Sequence, residues 1–133
     1  MTQSLSLTIP SRLEKLDDVQ TFAEELKERA GLDDEKAAGV SLALNEAVTN
    51  AVRHGNKGDA DKKVEITANL TQTELLIEVE DEGEGFNPEL IPDPLAEENV
   101  LKTSGRGVYL MKQFSHVVRY SAKGNKVTLV FKR

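Results

Sequence analysis

The stretch that decides the fold is residues 42–56, which reads Leu-Ala-Leu-Asn-Glu-Ala-Val-Thr-Asn-Ala-Val-Arg-His-Gly-Asn. In a helix that turns by about 100° per residue, its apolar side chains and those just before it fall within one broad arc. The members of that arc are Ala37, Val40, Leu44, Ala47, Val48, Ala51 and Val52. The sequence therefore predicts a central helix that buries this arc, begins after Asp33 as N-cap, and runs to about His54 before Gly55.

Three polar residues lie on the opposite side of the predicted helix. Glu46, Asn50 and Arg53 are spaced i, i+4 and i+7, so they form a single stripe. A solvated helix face is the simplest interpretation, because Glu and Arg are ordinary surface residues. Asn50 is less ordinary, since asparagine in a helix interior is about half a kcal/mol less favourable than alanine. Whether the stripe is functional depends on the rest of the chain.

Length and composition restrict the class of protein. With 133 residues, 38% apolar and 30% charged, the chain is expected to form one globular domain over residues 1–133. It contains no cysteine, which excludes disulfides, thiol nucleophiles and Cys-ligated zinc. Residues 1–10 do not resemble a signal peptide, and no apolar stretch approaches the roughly 18 residues that span a membrane. We expect a cytoplasmic protein with no membrane partner.

The charge is unevenly distributed along the chain. The net charge of -6 argues against nucleic acid as a partner. Residues 1–98 contain all 23 acids and nine Lys or Arg, whereas residues 99–133 contain eight Lys or Arg and no acid. Either the two parts interleave in space and neutralise one another, or part of the basic block faces an anion.

The remaining segments alternate between helix and strand patterns. Apolar residues alternate in five short segments that predict strands, and they recur every three or four residues in the segment that precedes the central helix. Three prolines interrupt residues 87–104, which predicts a long loop or lid. The resulting fold class is α+β, a two-layer sandwich with helices on one face of a mostly antiparallel mixed sheet. The predicted strands are residues 5–9, 64–70, 75–79, 117–120 and 127–131, and the predicted helices are residues 13–30, the central helix and a short helix after residue 107.

Common catalytic and nucleotide-binding motifs are not found. No G-x-x-x-x-G-K-[ST] or HExxH motif occurs, and the two histidines, His54 and His116, are far apart. No G-x-S-x-G motif supports a hydrolase triad. A phosphate-binding P-loop, a catalytic zinc site and a serine hydrolase are therefore not indicated.

Two glycine-rich segments stand out beside the polar stripe. Asp81-x-Gly83-x-Gly85 ends a predicted strand, and Ser104-Gly105-Arg106-Gly107 precedes a predicted helix. Singly, the first is interpreted as a turn and the second as a helix cap. The second could also capture an anion, because glycines expose backbone N–H groups at the positive end of a helix.

In this order and spacing, the three elements resemble the N, G1 and G2 boxes of the GHKL (Bergerat-fold) ATPases. Within that superfamily, residues 45–55, 81–86 and 104–110 resemble the freestanding anti-sigma-factor serine kinases of bacteria. The resemblance covers nearly the whole chain. It implies that ATP and Mg²⁺ are bound, and that the fold is the Bergerat fold.

The resemblance also implies a role for each matching residue. Asn50 would coordinate Mg²⁺, Glu46 would be the general base, and Arg53 would lie near the phosphates. Asp81 would accept a hydrogen bond from the adenine amino group. The other implied ATP contacts are Gly83 and Gly85 beside the base, Ser104, Gly105, Arg106 and Gly107 at the phosphates, and Lys102 or Arg106 at the γ-phosphate.

The implied function is that of an anti-sigma factor. Such a protein phosphorylates a serine on an anti-sigma antagonist (STAS) domain, sequesters a sigma factor and can form a homodimer. The alternative is a non-catalytic, ATP-sensing switch that only binds its partner. One departure from the family pattern is Gly124-Asn125, where the family usually has Gly-Thr, with the threonine near the adenine.

Overall fold

The computed structural model describes residues 3–83 and 115–133. The predicted lid and the predicted short helix after residue 107 lie outside these residues. The described part contains five strands and two α-helices in the order that the sequence predicts, strand, two helices, and then the remaining strands. They are β1 (Gln3–Pro10), α1 (Leu16–Ala30), α2 (Asp34–Asn50), β2 (Lys63–Leu70), β3 (Glu74–Asp81), β4 (Val117–Tyr120) and β5 (Lys126–Lys132).

Local capping sets the bounds of the two helices. A short 3₁₀ turn at Leu13–Lys15 leads into α1, which ends at Gly31 in the left-handed conformation, φ 66°. The Asp33 carboxylate accepts a hydrogen bond from the backbone N–H of Lys36 at 2.7 Å and caps α2, which confirms the predicted N-cap. Neither of the two described helices is long and apolar enough to cross a membrane.

The sheet has the strand order β1-β2-β3-β5-β4, and each described pair of neighbours is antiparallel. β2 and β3 form the predicted hairpin around residues 71–73. β5 returns between β3 and β4, so β3 is an interior strand. Alternating side chains give the sheet one apolar face, which the helices cover. The predicted α+β sandwich is confirmed.

The hydrophobic core lies between the helices and that face of the sheet. It combines the predicted arc of α2 with the inward residues of every strand in the centre of the sheet. Burying each large aliphatic side chain contributes about 1.5–3 kcal/mol relative to leaving it exposed. The largest fully buried aliphatic side chains are Leu26, Leu44, Ile66, Leu75, Ile77 and Leu129.

The basic end of the chain lies beside an acidic strand. In the register of β3 and β5, Glu74 is opposite Lys132, and Glu80 is opposite Lys126. Lys126 Nζ also forms an ion pair with Glu78 at 2.5 Å. For β5, the structure agrees with the first interpretation of the charge distribution, because Lys126 pairs with Glu78 and the other β5 lysine lies opposite a β3 glutamate in the register.

Candidate functional site

The central helix widens into a π turn at its C-terminal end. α2 ends at Asn50, and Ala51–Gly55 forms a five-residue turn that is closed by the backbone N–H of Asn56 donating to Ala51 O at 2.8 Å. The helix therefore ends at Gly55, as the sequence predicts, but its last turn has π geometry and not the α geometry of about 100° per residue. A π turn adds a residue per turn, is rare, and occurs frequently at functional sites.

The wider turn contains Arg53, whereas the other two residues of the polar stripe lie in α2. Glu46 and Asn50 remain one α-helical turn apart and are half-buried, whereas Arg53 lies in the π turn and is exposed. Within residues 3–83 and 115–133, no hydrogen bond or ion pair engages any of these three side chains. Their polar atoms are therefore available to a ligand as far as the described residues show.

The end of β3 packs against the end of the π turn at unusually close range. A Cβ added to Gly55 would lie 2.1 Å from Asp81 Oδ2, and one added to Gly83 would lie 1.9 Å from the carbonyl oxygen of Gly55. Neither glycine has a positive φ, so no turn conformation requires it. Close approach does require both, because any side chain would displace the Asp81 carboxylate or the backbone of Gly55.

The Asp81 carboxylate is partly withdrawn from water. Burial raises its pKa and is the largest influence, Glu80 also raises it, and the N–H of Gly83 and the charges of Lys123 and Lys62 act in the opposite direction. Its Oδ1 accepts from the backbone N–H of Gly83 at 2.8 Å. The described part of the chain offers no donor to Oδ2, which leaves that oxygen as an acceptor for a ligand.

Two asparagines that were not predicted to be site residues hold the peptide group between Asp81 and Glu82 in place. Asn125 Nδ2 donates to the carbonyl oxygen of Asp81 at 3.1 Å, and Asn56 Oδ1 accepts from the backbone N–H of Glu82 at 2.8 Å. Asn56 directly follows the glycine at which the helix ends, which is the only sequence signal for it. Asn125 was noted for its departure from the family pattern.

Six of the predicted site residues lie outside the described part of the chain. They are Gly85, Lys102, Ser104, Gly105, Arg106 and Gly107, and their roles remain predictions. The structure brings Asp81 and Gly83 together with Gly55, and places Glu46 and Asn50 on the helix that leads to Gly55.

The described residues would suit a magnesium ion that is held mainly by a bound nucleotide. Among the described residues, no three His, Asp or Glu side chains converge as a metal-binding cluster. Mg²⁺ in nucleotide sites is usually held by one or two protein oxygens together with phosphate oxygens and water. The half-buried amide of Asn50 can supply one such oxygen.

The chain belongs to the histidine kinase-like ATPase domain family, whose model matches residues 9–131. The resemblance inferred from the three boxes is thereby confirmed. Among its relatives, an Anti-sigma F factor of Clostridium acetobutylicum is 38% identical over 86% of this chain and 79% of that protein. An Anti-sigma F factor of Clostridium perfringens is 36% identical over 72% of this chain and 70% of that protein.

Two more distant matches extend the comparison to nearly the whole chain. A serine-protein kinase RsbW of Listeria innocua is 24% identical over 97% of this chain and 87% of that protein. A crystal structure of the RsbU and RsbW domains of a Mycobacterium tuberculosis protein superposes with a TM-score of 0.67 at 18% identity. It covers 98% of this chain, which spans about a third (32%) of that longer chain, and it supports the fold alone.

Proposed function

We propose that this protein is an anti-sigma factor that uses Mg-ATP to phosphorylate a serine on an anti-sigma antagonist (STAS) domain and otherwise sequesters a sigma factor. The single observation that carries the nucleotide site is the packing of the Asp81 carboxylate on Gly55 and Gly83. The relatives named Anti-sigma F factor and serine-protein kinase support the choice of partner and reaction.

The order of residues along the central helix supports one direction for the nucleotide. Gly55 touches the carboxylate that we assign to the base. Asn50 lies five residues earlier, at the end of α2, and Glu46 lies about one further α-helical turn away. The contact with the base, the amide of Asn50 and the carboxylate of Glu46 therefore follow one another in the same order as the base, the phosphates and the acceptor serine.

Each of these side chains has a chemical role in the proposed transfer. Asp81 Oδ2 accepts a hydrogen bond from the adenine amino group. Asn50 would hold Mg²⁺, which would supply positive charge to neutralise the phosphates. Glu46 takes the proton of the acceptor serine while the serine oxygen bonds to the γ-phosphorus of ATP. The bond between that phosphorus and the bridging oxygen breaks at the same time, and ADP leaves.

The remaining predicted contacts complete the proposal for the triphosphate. Arg53 is exposed at the end of the helix, where a cation can approach the phosphates. Lys102 and Arg106 are assigned to the γ-phosphate, and residues 104–107 are assigned to the phosphates through backbone N–H groups. Gly85 is assigned to close approach of the base.

Phosphoryl transfer to a purified STAS-domain antagonist, followed by mass spectrometry of its serine, tests the proposal. Replacing Glu46 by Gln removes the base, and loss of general-base catalysis reduces transfer by about 10²–10⁴-fold. ATP binding should remain unchanged, because this carboxylate is assigned to the acceptor. Glu35→Gln is the matched control, since Glu35 is exposed in the first turn of the same helix. Equal transfer by Glu46→Gln and wild type would remove the proposed base.

The alternative is a non-catalytic switch that senses ATP and binds its partner. Its support is that the more identical relatives are named for action on a sigma factor, whereas the relative named as a kinase is only 24% identical. Under this alternative, sigma-factor binding responds to ATP with no phosphate transferred, and Glu46→Gln regulates as well as wild type.

A homodimer is a further expectation, which sedimentation of the purified protein tests.

A further inference from the structure

The peptide group between Asp81 and Glu82 is held on both sides by side-chain amides. Its carbonyl oxygen accepts from Asn125 Nδ2 at 3.1 Å, and its N–H donates to Asn56 Oδ1 at 2.8 Å. In an interior strand, neighbouring strands normally satisfy these groups. Here the register of β3 with β2 ends at Asp81, and the register with β5 ends at Glu80. The two amides therefore replace strand partners where β3 enters the candidate site.

Asn56 is itself fixed in a buried network. Only 1% of the surface of Asn56 is exposed, so its side chain is shielded from solvent. Its Nδ2 donates to Ser11 Oγ at 2.7 Å and to the carbonyl oxygen of Lys63 at 3.0 Å. Together with the bond to Glu82, these contacts use both N–H groups and the oxygen of the amide. The amide is thus tied to the end of β1 and the start of β2, and it provides a rigid reference for Glu82.

Asn125 holds the same peptide from the turn between β4 and β5. Its backbone oxygen accepts from the N–H of Asp81 at 2.9 Å, while its side chain reaches the carbonyl oxygen of the same residue. Asp81 is therefore held at its N–H and its C=O by one residue. The asparagine that departs from the family pattern makes a contact with Asp81 through its amide nitrogen.

We propose that Asn56 and Asn125 are positioning residues for base recognition, because they orient the Asp81–Glu82 peptide and thereby aim the Asp81 carboxylate. With Oδ1 bonded to the N–H of Gly83, a rotation of this peptide redirects Oδ2. The two asparagines accordingly set the preference for adenine over a base that carries an oxygen in place of the amino group. This inference rests on the proposed function, in which Asp81 recognises adenine.

Calorimetric titration with ATP and with inosine triphosphate tests the inference. Inosine triphosphate has a carbonyl at the position of the adenine amino group, so only ATP offers Asp81 an N–H donor at that position. A hydrogen bond to a charged group implies that wild type favours ATP by about tenfold or more. Asn56→Ala and Asn125→Ala should each reduce the ratio of the two affinities by about fivefold or more, mainly through weaker ATP binding.

Arg133→Ala is the control for general destabilisation. Arg133 donates to the carbonyl oxygens of Ala30 and Thr71, and Thr71 lies in the turn before β3, whereas Asp81 lies at the other end of that strand. This variant loses hydrogen bonds but should keep the wild-type ratio. Asn125 is only half-buried, so Asn125→Ala provides the test if Asn56→Ala does not fold.

The outcomes separate this inference from the proposed function. If wild type binds no ATP, the proposed function is overturned, and the inference with it. If wild type prefers ATP but the folded variants keep the same ratio, positioning by the asparagines is overturned alone. A fall in the ratio with Arg133→Ala would also overturn it, because the effect would then follow stability. A fall confined to the asparagine variants supports it.

Discussion

Replacing Gly55 by alanine is the most direct perturbation of the candidate site. The added Cβ would lie 2.1 Å from Asp81 Oδ2, 2.3 Å from its Cγ and 2.7 Å from its Oδ1. An ordinary contact begins at 3.4 Å, so the carboxylate must recede from 2.1 to 3.4 Å, about 1.3 Å. The whole carboxyl group is in the way, so rotation about its terminal bond does not relieve the clash.

That displacement is large compared with the tolerance of a hydrogen bond. Donor and acceptor atoms lie about 2.7–3.2 Å apart, and the interaction weakens steeply as the angle departs from linear. Loss of one hydrogen bond to a charged group is worth about 1.5–3 kcal/mol, which corresponds to an ATP affinity about 10- to 150-fold weaker. Forcing a methyl group into a packed site also lowers the free energy of unfolding by about 1–3 kcal/mol.

Calorimetric titration with Mg-ATP measures the affinity, and urea unfolding measures stability. Gly31→Ala is the matched control, because Gly31 has φ 66° and no atom within 4 Å of an added Cβ. Left-handed backbone costs an alanine roughly 1–2 kcal/mol, so this variant loses comparable stability away from the site. We expect the control to bind ATP with wild-type affinity.

The reasoning is refuted if folded Gly55→Ala binds ATP as tightly as wild type. In that case, the close packing of Asp81 on Gly55 is not needed for binding. Equal weakening in Gly55→Ala and Gly31→Ala would also refute it, because stability alone would then explain the effect.

Asp81→Asn keeps an acceptor for the N–H of Gly83 but can offer an amide N–H to the base. Calorimetric titration should therefore show that the affinity for inosine triphosphate rises relative to the affinity for ATP. Burial raises the Asp81 pKa above its ordinary 3.8, so the stability that the neutral acid contributes is lost as pH rises through the folded pKa. Thermal unfolding should therefore show that the stability of wild type decreases relative to that of Asp81→Asn as pH rises towards neutral. Burial raises the pKa of Tyr120 to about 12, so the unfolded chain ionises first and stability should fall as pH rises above 10.0, a dependence that denaturant unfolding should find reduced in Tyr120→Phe. Arg133→Ala removes three guanidinium hydrogen bonds, two of them to Ala30 O, and should lower the urea-derived free energy of unfolding by about 1–2 kcal/mol. The exposed Lys132→Ala should change it by no more than about 0.5 kcal/mol.

The sequence alone determined the elements and the face that each one buries. Helical periodicity identified α1 and α2, and alternation identified the five strands, because these patterns repeat within a few residues. Asp33 and Gly31 also act within one turn of the helix end that they cap, so their roles could be read locally. Family resemblance then supplied the roles of Glu46, Asn50 and Asp81, which remain predictions.

Only the tertiary structure determined how the candidate site is assembled. The bond from Glu82 to Asn56 joins residues 26 positions apart, and that from Asn125 to Asp81 joins residues 44 apart. The contact of Gly55 with Asp81 and the π turn that leads to it likewise depend on how α2 meets the end of β3. Periodicity describes which way a side chain points within its own element. It does not describe contacts with the atoms of another element. Those contacts are the reason that this site needs Gly55, Gly83 and Asn56.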